Sequence, residues 1–524
     1  MLNLLPLLLA RLLQPFSLKL ILLVIFLVIL YKLSTTTTNP SSVPPSPPKL
    51  PVIGNLHQLG LYPHRSLQAL AQRYGPLMLL HFGSKPVLVV SSSEAAREIL
   101  KNHDLVFSDR PKFVFFKKMF YNCKDIVTSP YGEYWRQMRS TCVLNLLSNK
   151  RVRSFRAVRE EEISLLISKI KQSCNSSSSS AESPAVNLSE MLSTLTSDVI
   201  CRVAMGRKYS DSGEGRGRMF MELSTEINEL FARVNIGDYI PWLSWVSRIN
   251  GLDAELDSLA KRFDEFLDLV VQDHIDSSNK TGGDHLADKV HQDFVDVLLS
   301  VQKENSTGFA LERVGIKAII LDMFVAGSDT TFTVLEWAMS ELLKHPQNMK
   351  KLQNEVRKIV GDKAYVTEDD LVSMHYLRAV IKETLRLHPP VPLLLPRMAT
   401  QDVKVNGYNI KANTQVLVNA WQIGRDPKSY NKPEKYEPER FLNSEIDFKG
   451  TDFELIPFGA GRRGCPGIPF GMIVIEIALA SLVHNFTWSL PGDEKLENLD
   501  MTEFTGAVVH RKYPLIAVAI PHSC

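Results

Sequence analysis

The stretch Pro457-Phe458-Gly459-Ala460-Gly461-Arg462-Arg463-Gly464-Cys465-Pro466-Gly467 decides how the rest of the chain is understood. It sets one cysteine among glycines, with a cation two residues before it. The apolar run Ile468 to Val483 begins just after, so Cys465 is expected at the N-terminal end of a helix. Partial positive charge and free N–H groups at such an end favour thiolate over thiol. Gly461, Gly464 and Gly467 would let the backbone approach a large flat ligand, with Phe458 packed against it. One thiolate with no second ligand nearby suits an iron already held by four porphyrin nitrogens. It does not suit zinc, which takes three or four protein ligands. The bland alternative is a glycine loop around a structural cysteine.

The spacing Phe-x-x-Gly-x-Arg-x-Cys-x-Gly is met at Phe458, Gly461, Arg463, Cys465 and Gly467. On these residues the chain resembles the cytochrome P-450 monooxygenases, the haem-thiolate family, and in its overall wording the microsomal plant A-type members. The resemblance runs over nearly the whole chain. It implies a mainly α fold with a small β-rich region, an N-terminal membrane anchor helix, and haem b with an axial thiolate from Cys465. Three parts are expected: an anchor at 1–33, a proline-rich hinge at 34–56, and a haem-thiolate catalytic domain at 57–524.

Composition narrows the classes. The chain has 524 residues, 44% hydrophobic, with a formal net charge of +3, so charge gives no argument for nucleic acid. Its six cysteines form no C-x-x-C pair, which speaks against a disulfide scaffold and for a reducing compartment. The first 33 residues are almost wholly apolar, interrupted by Arg11 and Lys19. With Lys19 and Lys32 snorkelling, the run approaches spanning length. A removed signal peptide is the rival, but no small-x-small cleavage site follows. The chain then passes through Pro44-Pro45-Ser46-Pro47-Pro48-Lys49-Leu50-Pro51, a stiff extended spacer by composition. Localisation at the endoplasmic reticulum membrane, single-pass with a cytosolic body, follows from the free cysteines and the resemblance.

Along the body, Leu77–Phe82 and Pro86–Ser91 predict a hairpin around Gly83-Ser84-Lys85. The aromatic stretch from Phe113 to Tyr121 is core by composition and pocket wall by resemblance. Trp135 and Arg139 stand at i, i+4 on one helical face, where an indole N–H and a guanidinium together can hold a carboxylate. By resemblance the carboxylate is a haem propionate. Arg151–Gln172 predicts one amphipathic helix, and Asn175–Ser183 and Ser277–Asp288 predict surface loops.

Leu311–Leu343 predicts a long buried helix containing Ala326-Gly327-Ser328-Asp329-Thr330-Thr331. Hydroxyls beside a glycine compete for helix carbonyls and weaken the local ladder. Asp329 and Thr330 then form an alcohol–acid pair able to relay protons, matching the family's oxygen-activation motif. A solvated helix kink is the alternative. Glu383-Thr384-Leu385-Arg386, together with Arg440, is by resemblance a buried charge network bracing the core. Val391–Leu395 predicts a strand beside the haem, with Arg397 as a second propionate partner. Asn406-Gly407 predicts a two-residue hairpin.

The implied reaction is insertion of one oxygen atom from O2 into a C–H or C=C bond of a small hydrophobic plant metabolite, a terpenoid, phenolic or alkaloid. The walls Phe113–Tyr121, Leu321–Val325, Val391–Leu395 and Phe504–Gly506 are apolar. The chain carries no flavin or iron–sulfur motif, so electrons come from a partner, an NADPH–cytochrome P-450 reductase, with Arg462 as a docking candidate. Two alternatives stay open: a haem-thiolate isomerase or dehydratase that needs no O2, and a non-enzymatic haem sensor or carrier.

Overall fold

The computed structural model describes residues 20, 22–26, 42–176, 185–210, 216–280, 292–304, 310–492 and 498–522. Most of the expected anchor, and the part of the serine-rich tract at 177–183, fall outside them. Leu20 and residues 22–26 are helical and exposed.

The body is mainly helical, as expected. Its helices include α1 (Val114–Met119), α2 (Glu133–Thr141), α3 (Arg156–Ser176), α4 (Leu188–Met205), α5 (Leu252–Lys280), α6 (Arg313–Gly327), α7 (Asp329–Lys344), α8 (His375–Leu387) and α9 (Ile468–Asn485). Two segments, Arg313–Lys344 and Ile468–Asn485, are long and apolar enough to cross a membrane, yet each is 72% buried inside the protein. They are core helices, hydrophobic all round because other helices surround them. Ile316, Ile319, Ile320, Leu335, Ala338 and Ile477 are wholly sealed there.

The strands are few and short. The predicted hairpin forms between β1 (Leu77–Phe82) and β2 (Lys85–Val90), with Leu77 opposite Val90. A three-residue strand at Ala185–Asn187 is β3, and Arg397–Met398 is β4. Next come β5 (Val403–Val405) and β6 (Tyr408–Ile410), turning at Asn406 and Gly407, both left-handed at φ 47° and 87°. Two consecutive positive φ values make the turn whose twist matches the strands. With β7 (Gln415–Val418) the first sheet has the order β1-β2-β7-β4, the β2–β7 pair being parallel. The strands β8 (Phe486–Ser489) and β9 (Ile516–Pro521) join β3 in a second sheet.

Three expectations are corrected, and the weakened ladder expected in the central helix is located. Val391–Leu395 is a turn, because Pro390, Pro392 and Pro396 supply no ladder N–H and Leu394 sits at φ 51°. The Arg151–Gln172 helix breaks at Phe155, whose ring is buried edge-on against Phe294 at 5.5 Å. The first four residues of the loop predicted at Ser277–Asp288 are helical, since α5 continues to Lys280, and the rest lie outside the described residues. The long central helix is interrupted at Ser328, between α6 and α7.

The proline-rich segment is stitched to the body in series. Gly83 N–H donates to Ile53 O at 3.1 Å, and Ser84 N–H donates to Tyr239 O at 3.0 Å. Asp238 Oδ1 in turn accepts from Val114 N–H at 2.9 Å, at the start of α1.

Candidate active site

The cysteine loop closes on itself before α9. Cys465 N–H donates to Phe458 O at 3.0 Å, and Gly464 N–H to Gly461 O at 2.9 Å. Gly461 adopts φ 69°, and a Cβ there would collide with Leu100 O. The glycine is therefore needed for approach to a neighbouring helix end. Phe458 is half-buried and meets Phe448 edge-on at 5.6 Å.

Cys465 lies deep within the protein, yet its side chain is exposed. An exposed sulfur in the interior faces a cleft. Burial raises its thiol pKa, opposed by the N–H groups of Gly467 and Ile468 and by Arg139. The helix-end effect expected from the sequence is present but outweighed by burial.

Four guanidinium groups gather beside this loop. Arg463 donates from Nε to Ser108 O at 2.8 Å and from Nη2 to Ser129 O at 2.6 Å, and its charge lies 4.1 Å over the Trp135 ring. Arg139, on α2 with Trp135, donates to Gly464 O at 2.7 Å. Arg397 donates to Ala460 O at 2.6 Å and pairs with Asp104 at 3.4 Å. Arg110 donates to the Leu395 and Pro396 carbonyls, each at 2.7 Å. Nothing in the local sequence singles out Arg110. It follows Asp109 in an irregular segment and has no periodic partner.

Burial and mutual repulsion lower the pKa values of these cations. Arg463 falls to about 9 through burial and then Arg397 and Arg139. Arg397 falls to about 10 through burial, which the neighbouring Asp104 only partly offsets. Arg110 is lowered well below its usual value by burial, Arg463 and Arg397. A buried cluster with this excess of positive charge is costly unless anions complete it. The two propionates of a haem are such anions, and the cleft-facing sulfur beside them is the ligand its iron takes, so the residues fit the group.

Trp135 departs from expectation. Its Nε1–H donates to Ile126 O at 2.9 Å, and the side chain is 3% exposed. The indole is a platform for Arg463, and also for Arg139 at 5.5 Å. Arg462 is tied to Asp104 at 3.0 Å.

Opposite the core face of α6 and α7, the helix opens at the expected hexapeptide. Ala326 is exposed and Thr330 half-exposed, although their neighbours Phe324 and Phe332 are buried. Ser328, Thr330, Thr331 and Thr333 each donate a hydroxyl to the carbonyl four residues back, Thr330 to Ala326 O at 2.6 Å. Such back-bonding bends helices. Among the described residues Thr330 makes no hydrogen bond to Asp329. Burial raises the Asp329 carboxyl pKa against the pull of His510. His510 stacks on Phe504 at 4.6 Å, which places the predicted Phe504–Gly506 turn close to Asp329.

The brace is as expected. Glu383 and Arg386 are fully buried and bidentate at 2.7 and 2.8 Å, and Arg440 reaches Glu383 at 3.0 Å. The remaining Arg386 donors meet the carbonyls of Gly424, Pro433 and Lys435.

A helical body with this cleft-facing cysteine before its last long helix defines a haem-thiolate protein. The family model for cytochrome P-450 matches residues 44–517. A cytochrome P-450 from Prunus mume is 64% identical over 516 residues, 97% of this chain and 96% of its own. Norfluorocurarine oxidase from a Strychnos species is 52% identical over 508 residues, 96% and 98% of the two chains. A solved zebra fish cytochrome P-450 with abiraterone superposes with a TM-score of 0.74 at 27% identity, covering 88% of this chain and all of that one. The chain belongs to the cytochrome P-450 family, and so is a monooxygenase that carries haem b on a cysteine thiolate.

Proposed function

We propose that this chain is a membrane-attached monooxygenase of plant specialised metabolism. Its substrate is a small hydrophobic terpenoid, phenolic or alkaloid, and its electrons come from an NADPH–cytochrome P-450 reductase. The observation that carries this is the opening at Ala326 and Thr330 in an otherwise sealed helix, with aromatic side chains nearby in the same core cluster. Phe116 is part of that cluster, Phe113 and Phe115 are partly buried and pack against it, and Phe115 meets Phe231 at 5.0 Å. Such walls suit a substrate with few charges. A relative named for oxidising norfluorocurarine is in keeping with an organic small molecule.

Each residue then has a role. Cys465 would hold the haem iron through its sulfur, Arg110, Arg139, Arg397 and Arg463 would neutralise the propionates, Trp135 orients Arg463, and Phe458 would pack at the macrocycle. When bound, the haem supplies dioxygen binding and transfer of one oxygen atom to the substrate. Thr330 Oγ1 holds a proton at the opening, at present directed to Ala326 O. Asp329, with its raised pKa, is the carboxyl that replenishes it, a role for which a proton affinity nearer neutrality is favourable.

The test is expression of the full chain in microsomes with a plant reductase and a panel of terpenoids, phenolics and alkaloids. Oxygenated product that requires both NADPH and O2 is expected. Cys465→Ala should abolish the carbon-monoxide difference band of thiolate ligation. Turnover without NADPH and reductase would overturn the proposal in favour of an isomerase or dehydratase.

A further inference from the structure

A cavity of about 620 Å³ is lined by residues other than those around Cys465. Its walls come from three places: Lys118 on α1, Ser244 and Arg248 in the segment between 235 and 250, and Asp253 and Asp257 on α5. None of these residues belongs to the haem site. The volume is in the range of small-molecule pockets.

Its charges are arranged unequally. Lys118 Nζ is committed, 2.6 Å from Asp257 Oδ1 and 3.7 Å from Asp253 Oδ1. The Asp253 carboxylate also accepts from Ser247 Oγ at 3.0 Å. Arg248 makes no ion pair or side-chain hydrogen bond among the described residues, and the Ser244 hydroxyl makes none either. The cavity thus offers one uncommitted guanidinium at one wall and two carboxylates sharing a single ammonium at another. A bare anion would meet Arg248 but be repelled by Asp253 and Asp257. A ligand carrying an anion and a cation a few bonds apart satisfies both walls. Asn235 adds to the case: it lines the cavity, is 7% exposed, and its Nδ2 has no hydrogen-bond partner.

The rim says what that ligand is attached to. Trp242, Trp245 and Ile249, from the segment that carries Ser244 and Arg248, are 65%, 53% and 77% exposed. Val234 and Ile236, on either side of Asn235, are exposed as well. Clustered exposed apolar side chains mark an interaction site, and tryptophan suits the boundary between water and acyl chains.

We propose that this cavity binds the zwitterionic headgroup of a membrane phospholipid. The phosphate is held by Arg248 and Ser244, the ammonium lies toward Asp257 and Asp253, and the acyl chains lie against Trp242, Trp245 and Ile249.

The test uses the full-length haem-loaded protein in detergent. The probe is a short-chain phosphatidylethanolamine with brominated acyl chains, below its micelle concentration, read by tryptophan quenching. Saturable quenching is expected. Arg248→Glu should weaken it by roughly tenfold or more, the loss expected for a charge-assisted contact. Arg248→Lys should retain most of it. Both variants should keep the wild-type carbon-monoxide difference spectrum, which shows that they fold. Inorganic phosphate and a brominated phosphatidylglycerol should compete poorly. Unchanged quenching in Arg248→Glu, or equal competition by inorganic phosphate or phosphatidylglycerol, would overturn the assignment.

Discussion

The guanidinium of Arg463 lies 4.1 Å above the indole of Trp135, which ties the cysteine loop to α2 across more than 300 residues of sequence. The contact is between a desolvated cation and the best aromatic acceptor, worth about 0.5–2 kcal/mol. Both Trp135→Phe and Trp135→Ala lose the hydrogen bond to Ile126 O, but the phenylalanine should keep most of the cation–ring contact and the alanine none. Haem retention during gel filtration should therefore rank wild type, then phenylalanine, then alanine. Equal retention in all three would show that the platform does not support the site.

Glu383 and Arg386 are both fully buried, so removing Arg386 leaves Glu383 in the core with Arg440 as its one remaining cationic partner among the described residues. Arg386→Ala should lower stability by about 3–5 kcal/mol, as for other broken buried pairs. Glu383→Gln keeps shape and should be milder. The denaturant midpoint checks both.

The carboxyl groups of Asp322 on α6 and Asp125 face each other in the core. Asp322 is raised well above its ordinary 3.8, first by burial and then by the charge of Asp125. Below that ordinary value both folded and unfolded forms are protonated, and the group is neutral in its effect. As pH rises, the unfolded carboxyl ionises while the folded one keeps its proton, so stability falls. Asp322→Asn can still accept from Ile126 N–H and cannot ionise. Its urea midpoint, compared with wild type, should improve from pH 5 to pH 8 on the order of the linkage expected for one buried acid. An unchanged difference between the two pH values would contradict this.

Glu341, near the end of α7, behaves in the opposite sense. Burial alone would raise its pKa, but hydrogen bonds from His345 and His388 bring it to about 2 from 4.5. His388 Nε2 lies 2.7 Å from Glu341 Oε1 and the His388 ring stacks on Trp337 at 4.1 Å, so the cluster fastens α7 to the end of α8. Its contribution is complete above the ordinary value of 4.5 and is lost as pH falls toward 2. Glu341→Gln should flatten the acid limb of a stability curve in that window, measured by fluorescence-monitored unfolding.

Much of this was legible in the sequence because it rests on local pattern. The α9 run, the Asn406-Gly407 turn and the Glu383/Arg386 spacing each sit within a few residues of one another. What escaped depended on pairing at a distance or on proline. Asp125 and Asp322 are far apart in sequence, and nothing near either one announces the other. Arg110 becomes notable only when folding brings Arg463 and Arg397 beside it. The Val391–Leu395 stretch has strand-like side chains, but prolines on both sides withhold the N–H groups a ladder needs. Trp135 was placed on the right face with the wrong hydrogen-bond partner, because the Ile126 carbonyl comes from the loop before α2.

The connection from Ile53 through Gly83 and Tyr239 to Val114 works as a linkage of short, stiff bars. Through it the backbone at Ile53, at the end of the proline-rich segment, is joined by three hydrogen bonds to the first turn of α1. Phe113 and Phe116, at the start of that turn and within it, therefore share their footing with the proline-rich segment.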